Sequence, residues 1–148
     1  MDKPVSKESR RAQLFGHYWK NDLDPVFTDV ASYYDNANQV ASLGLWNWFL
    51  RHHMDLVETQ PGMRSLDICA GTNAVGIALL KKEPTLEAYA IDRNVAMQTV
   101  GRERAQKRGL HIRATIGDVH KLPYPDNHFD IVTLQWAARH LQLDIVLD

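Results

Sequence analysis

Cysteine is scarce: Cys69 is the single instance in 148 residues. That excludes an internal disulfide framework and any zinc site built on several cysteines. It also fits a reducing compartment, so a cytoplasmic location is expected. A charge excess of either sign is missing as well. The 17 Lys and Arg against 18 Asp and Glu leave a formal net charge of −1. A nucleic-acid or heparin binder needs a basic excess, so no nucleic-acid partner is expected. No apolar run reaches the ~18–20 residues of a membrane-spanning helix. The start, Met1-Asp2-Lys3-Pro4 and then polar residues with Arg10 and Arg11, lacks the apolar stretch of a secretory signal. Repeats and low-complexity tracts are also absent. What is present is ordinary for a globular domain: 45% hydrophobic and 24% charged residues, at the length of one domain.

The chain divides into three parts. Residues 1–24 are polar, with Phe15, Tyr18 and Trp19 as isolated apolar points, and read as a flexible arm or a short late-packing helix. Residues 25–62 read as a helical cap. Within it Trp46, Phe49, Leu50, His53, Met54 and Val57 share one helix face. Ser42-Leu43-Gly44 predicts a break between two helices, and Pro61-Gly62 a stop. Residues 63–148 then alternate. Strands are predicted over 64–69, 86–91, 111–116 and 129–134, with helices over 74–82 and 95–108. The second helix is closed by Gly109, and residues 137–148 begin something helical. Strand–helix alternation means βαβ units in a parallel sheet, hence an α/β, Rossmann-like fold. Ligands of such sheets bind beyond the carboxyl ends of the strands.

The chemistry-bearing residues fall at those strand ends. Asp67-Ile68-Cys69-Ala70-Gly71-Thr72-Asn73 runs from the first strand into a helix through a turn of small residues. Small residues let backbone N–H groups approach a ligand closely. Asn73 stands where such turns usually place glycine, and Asn tolerates positive φ. Asp92 follows the second strand, where a carboxylate can accept hydrogen bonds from the vicinal hydroxyls of a ribose. Gly117-Asp118-Val119 follows the third strand; Asp118 can accept from an exocyclic adenine amine, and the Val119 N–H can donate to a ring nitrogen. Of the histidines, His140 and His128 lie near the expected mouth. The adjacent pair His52-His53 points apart on a helix, so no metal is expected. Arg102 to Arg108 reads as a solvated helix face. Trp46 and Trp48 read as sheet cover or as the wall of a lipophilic channel.

The order Asp67…Gly71, Asp92, Gly117-Asp118 and Leu122-Pro123-Tyr124-Pro125-Asp126-Asn127-His128-Phe129-Asp130 resembles class I S-adenosylmethionine-dependent methyltransferases. The run Val26-Phe27-Thr28-Asp29-Val30-Ala31-Ser32-Tyr33-Tyr34-Asp35, followed by Asn38, Ser42-Leu43-Gly44 and Trp48, is similar to the ubiquinone/menaquinone C-methyltransferases. The resemblance implies a methyltransferase that uses S-adenosyl-L-methionine and takes a lipophilic aromatic or quinol acceptor, with room for peripheral contact with a membrane. It implies that Tyr34, Asp67, Ala70 and Gly71 surround the methionine end of the cofactor. Asp92 and Arg93 would hold the ribose, Asp118 and Val119 the adenine, and Gln135 would lie at the methionine floor. Arg139 and His140 stand where the family has Arg-Asn and are the catalytic candidates. The family's sheet carries further strands after the fourth. The chain therefore reads as a methyltransferase sheet truncated after that strand, completed by a second chain, either a separate C-terminal subunit or another copy, or else as a fragment of a longer protein. A methyltransferase-like protein that has lost methyl transfer, regulatory or diverged, is the alternative.

Overall fold

The structure, a computed structural model, describes residues 14–147. Residues 1–13 of the expected arm, and Asp148, lie outside the described residues. Residues 14–18 are helical, Trp19–Leu23 form a π-helical turn, and α1 (Asp24–Val30) follows with a proline in its first turn. Proline is tolerated there because the first N–H groups of a helix lack partners within it. Then come α2 (Tyr34–Ala41) and α3 (Trp46–Asp55). The predicted break between them is present. Leu43 and Gly44 take positive φ, and the Gly44 N–H closes back on the Gln39 carbonyl at 2.7 Å. A second break, at Ala31, Ser32 and Tyr33, has no glycine or proline to announce it.

The rest is a parallel sheet of β1 (Arg64–Ile68), β2 (Glu87–Asp92), β3 (Ile112–Ile116) and β4 (Ile131–Leu134), in the order β3-β2-β1-β4. α4 (Ala74–Lys82) joins the first two strands, and α5 (Val95–Gln106) the second and third. A 3₁₀ turn (Ala138–His140) and the short α6 (Leu143–Val146) follow β4. The chain steps outward from β1 to β3 and then returns to the far side of β1. That creates a topological switch point between β1 and β4, where α/β sheets hold ligands.

Several predicted limits move. β1 ends at Ile68 because Cys69 has φ +55, outside any strand conformation. β4 starts two residues later than predicted, because Asp130 is used to anchor it. The Asp130 side chain accepts from the Arg64 N–H at 2.7 Å, and its own N–H donates to the Arg64 carbonyl at 2.9 Å.

Two apolar layers hold the sheet. On one face Met54 of α3 and Val75, Leu79 and Leu80 of α4 pack with Ala88, Ala90, Ala105 and Ile112. On the other, Leu66, Ile68, Ile91 and Val119 are covered by Tyr124, Phe129, Leu141 and Val146. Alternation along β1 and β2 sends neighbouring residues to opposite layers.

Candidate functional site

At the carboxyl ends of the strands lies a cavity of about 960 Å3, counting its open mouth. All the site residues singled out from the sequence line it, apart from His128. Asp67, Ala70 and Gly71 come from the β1 end, and Asp92 and Arg93 from the β2 end. Asp118 and Val119 come from the β3 end, Gln135, Arg139 and His140 from the segment after β4, and Tyr34 from α2.

The turn after β1 is shaped by alternating backbone handedness. Cys69, Gly71 and Asn73 have φ of +55, +50 and +57. For two of these the left-handed region costs a non-glycine side chain energy. The Gly71 N–H donates to Asp92 Oδ2 at 2.8 Å, and the Asn94 N–H donates to Oδ1 at 2.8 Å. Each carboxylate oxygen keeps a second acceptor site. Burial raises the Asp92 carboxyl above its ordinary range, against the lowering effect of those two N–H donors. Asp67 is deeper, 4% exposed, and accepts from the Thr133 hydroxyl at 2.8 Å. Burial pushes its carboxyl up to about 7. The Cys69 thiol is pushed up to about 12, again by burial first and then by the nearby Asp92, Asp67 and Asp118, so it stays protonated.

Asp118 is more open. Partial burial would raise its carboxyl, but hydrogen bonds from the His120 N–H and imidazole outweigh that and hold it below its ordinary value. His120 Nδ1 lies 2.6 Å from Asp118 Oδ1, and its Nε2 accepts from the Gln142 N–H at 3.2 Å. Arg93 lines the cavity with its guanidinium already engaged, 3.2 Å from Asp24 Oδ2 and over the Trp19 ring at 5.1 Å. His140 is held below its ordinary value by burial and by the charge of Arg139, so it is neutral near pH 7.

Sequence reasoning missed part of the assembly. Trp19, inside the stretch read as a flexible arm or a short late-packing helix, is buried, lines the cavity, and donates from its indole to the His140 carbonyl at 2.9 Å. Asp35 accepts from the Thr72 hydroxyl at 3.0 Å and pairs with Arg104, which also reaches the Thr72 carbonyl at 3.1 Å. Arg104 is therefore not solvated helix surface; it ties α2 and α5 to the glycine turn. The Tyr34-Asp35 pair was the visible signal for this contact. His128, expected near the mouth, lies at the opposite end of the sheet, within 3.4 Å of Arg64 at the start of β1 and against Tyr124. It belongs to an aromatic cluster under the sheet.

Beside the cavity, Trp46 and Trp136 stack at 5.3 Å, with Phe49 edge-on to Trp136. Together with Tyr34, Asn38 and Arg139 they line an adjoining hollow. Among the described residues no three His, Cys, Asp or Glu side chains form a group that could hold a metal ion. No helix among them is long and apolar enough to cross a membrane.

A family model matches residues 17–145, that of the ubiE/COQ5 methyltransferase family. The chain belongs to that family. The similarity extends to curated relatives. The ubiquinone/menaquinone biosynthesis C-methyltransferase UbiE of Dinoroseobacter shibae is 36% identical over 118 residues, 78% of this chain and 47% of the relative. The UbiE protein of Burkholderia mallei is 38% identical over 117 residues, 78% of this chain and 48% of the relative. This ubiE/COQ5 chain thus spans about half the length of the curated relatives it matches. Among solved structures, the YcgJ protein of Bacillus subtilis superposes with a TM-score of 0.57 at 30% identity, covering 63% of this chain and 39% of that one.

Proposed function

We propose that this ubiE/COQ5 chain binds S-adenosyl-L-methionine and forms the cofactor-holding part of a cytoplasmic methyltransferase whose acceptor is a lipophilic aromatic or quinol-type carbon nucleophile. The observation that carries the reading is the shared cavity at the switch point. There the Gly71 N–H meets the Asp92 carboxylate, with Asp67 and Asp118 on the same wall. The residues fit the cofactor. The turn leaves so little space that a Cβ at Gly71 would come within 3.2 Å of Met97 Cε. The rings of Tyr34, Phe27 and Trp46 suit a ligand with a cationic sulfonium. Asp92 would hold the ribose, Asp118 and the Val119 N–H the adenine, and the turn at Ala70 and Gly71 the methionine end.

When bound, the cofactor supplies an electrophilic methyl group. The chain's own part is alignment and proton handling. The Trp46–Trp136 stack offers an aromatic face to the acceptor beside the cavity. His140, kept neutral, is suited to accept a phenolic proton, and Arg139 to stabilise the oxyanion that results. We propose further that another polypeptide, a separate subunit or a second copy, completes the sheet. What supports this is β4, which among the described residues pairs with β1 alone and leaves Val132 58% exposed.

The test is calorimetric titration with S-adenosylhomocysteine. Micromolar binding is expected, and Asp92→Ala should weaken it at least tenfold, since each bond to the carboxylate is worth ~1.5–3 kcal/mol. Unchanged affinity in the variant would overturn the ribose assignment.

A further inference from the structure

We propose that Gln98, a residue of α5 that does not line the cavity, is a positioning residue that grips the cofactor turn and holds it in its ligand-receiving shape. This rests on the reading of the turn as the seat of the methionine end. Gln98 is fully buried, at 0% exposure. Its amide donates to the Gly71 carbonyl at 3.0 Å and to Asn73 Oδ1 at 3.0 Å. The Gly71 carbonyl can only accept, so it fixes which end of the amide faces the turn.

Gly71 is therefore held from both sides, its N–H by Asp92 and its carbonyl by Gln98. The ring then closes through the helix, since Asp92 also accepts from the N–H of Asn94, the N-cap of α5. The proposed ribose carboxylate, the turn and the first turns of α5 form one hydrogen-bonded unit.

Two further facts single out this contact. Asn73, 1% exposed, occupies the place where glycine is usual, with its Nδ2 buried and unpartnered; Gln98 Oε1 is unpartnered too. Unpartnered buried amide atoms cost stability that an apolar pair of the same size would not. A residue pair that breaks this rule beside a binding turn points to a role in holding that turn. The space is also made for it. Gly101, one helical turn on, lets the Asn73 side chain lie where any Cβ would be 2.7 Å away. Asn73 thus takes the left-handed conformation natural to glycine, and Gln98 and Gly101 receive its side chain.

The variant Gln98→Met keeps length and volume and removes the donor. Two ligands are titrated, S-adenosylhomocysteine and 5′-methylthioadenosine, which lacks the amino-acid portion. The expected result is a loss of tenfold or more in affinity for the first, with the second changed less than threefold, and a lowered melting temperature because the Gly71 carbonyl and Asn73 Oδ1 lose their donor. Equal weakening of both ligands, or of neither, in a folded variant would overturn the proposal. Should Gln98→Met fail to fold, Gln98→Leu is read by the same ratio. If the unmodified chain binds 5′-methylthioadenosine but not S-adenosylhomocysteine, or neither, the cofactor reading fails instead.

Discussion

At the scale of single residues, Asp67 carries an unusual load. Its carboxyl sits at the end of β1 with one hydroxyl donor, Thr133, and burial pushes it up to about 7. Between its ordinary value of 3.8 and that figure, the folded chain holds a proton that the unfolded chain has released. Stability from this group therefore falls as pH rises through that window and levels off above it. At roughly 1.4 kcal/mol per unit, the effect is a few kcal/mol at most. Asp67→Asn should flatten the slope. Urea midpoints measured from pH 4 to 8 should decline less in the variant, with the gap widest at pH 8. Parallel curves would show that Asp67 is ionised in the folded state. The presence of an acid at Asp67 was legible in the sequence, because the strand–turn–helix pattern places it. Its protonation was not, because that depends on which layers close over it.

At the scale of elements, α5 does more than cover the sheet. It touches the turn after β1 at Gly101, where an added Cβ would lie 2.8 Å from the Thr72 backbone carbon. Backbone cannot rotate away as a side chain can. Gly101→Ala should therefore destabilise the chain by about 1–3 kcal/mol through overpacking, despite the ~1 kcal/mol that alanine gains over glycine inside a helix. Chemical denaturation measures this, and a more stable variant would contradict the close approach. The helices and strands themselves were readable from hydrophobic period and breakers, α4 to the residue. The limits of β1 and β4 were not, because a left-handed Cys69 and the anchoring role of Asp130 are set by neighbours far along the chain. The break after α1 was invisible for a different reason. Ala31, Ser32 and Tyr33 include no residue that obliges a helix to stop.

At the scale of the whole molecule, the edge of β4 that stays unpaired among the described residues matters most. An apolar edge strand without charge or proline invites pairing, and Ile131, Val132 and Leu134 supply neither. Sedimentation of the isolated chain should show association that rises with concentration, and Val132→Lys should suppress it while leaving the melting temperature within a few degrees. A strictly monomeric chain that binds S-adenosylhomocysteine at micromolar strength would overturn the divided sheet. The same scale explains Trp19. As a sequence feature it was one of three isolated aromatics in a polar stretch. Only the docking of residues 14–30 over the strand ends brings it against Arg93 and the His140 carbonyl.

The sequence by itself determined the parallel α/β architecture and the line of small and acidic residues at successive strand ends. Both follow from local period and turn chemistry, which are written in consecutive residues. The tertiary structure alone decided which of those residues share a wall and which charges are masked. It also decided how Asp35, Gln98, Gly101 and Arg104 brace the turn from α2 and α5. Such contacts join positions tens of residues apart. Distance, burial and the pairing of polar atoms exist only once the layers have closed.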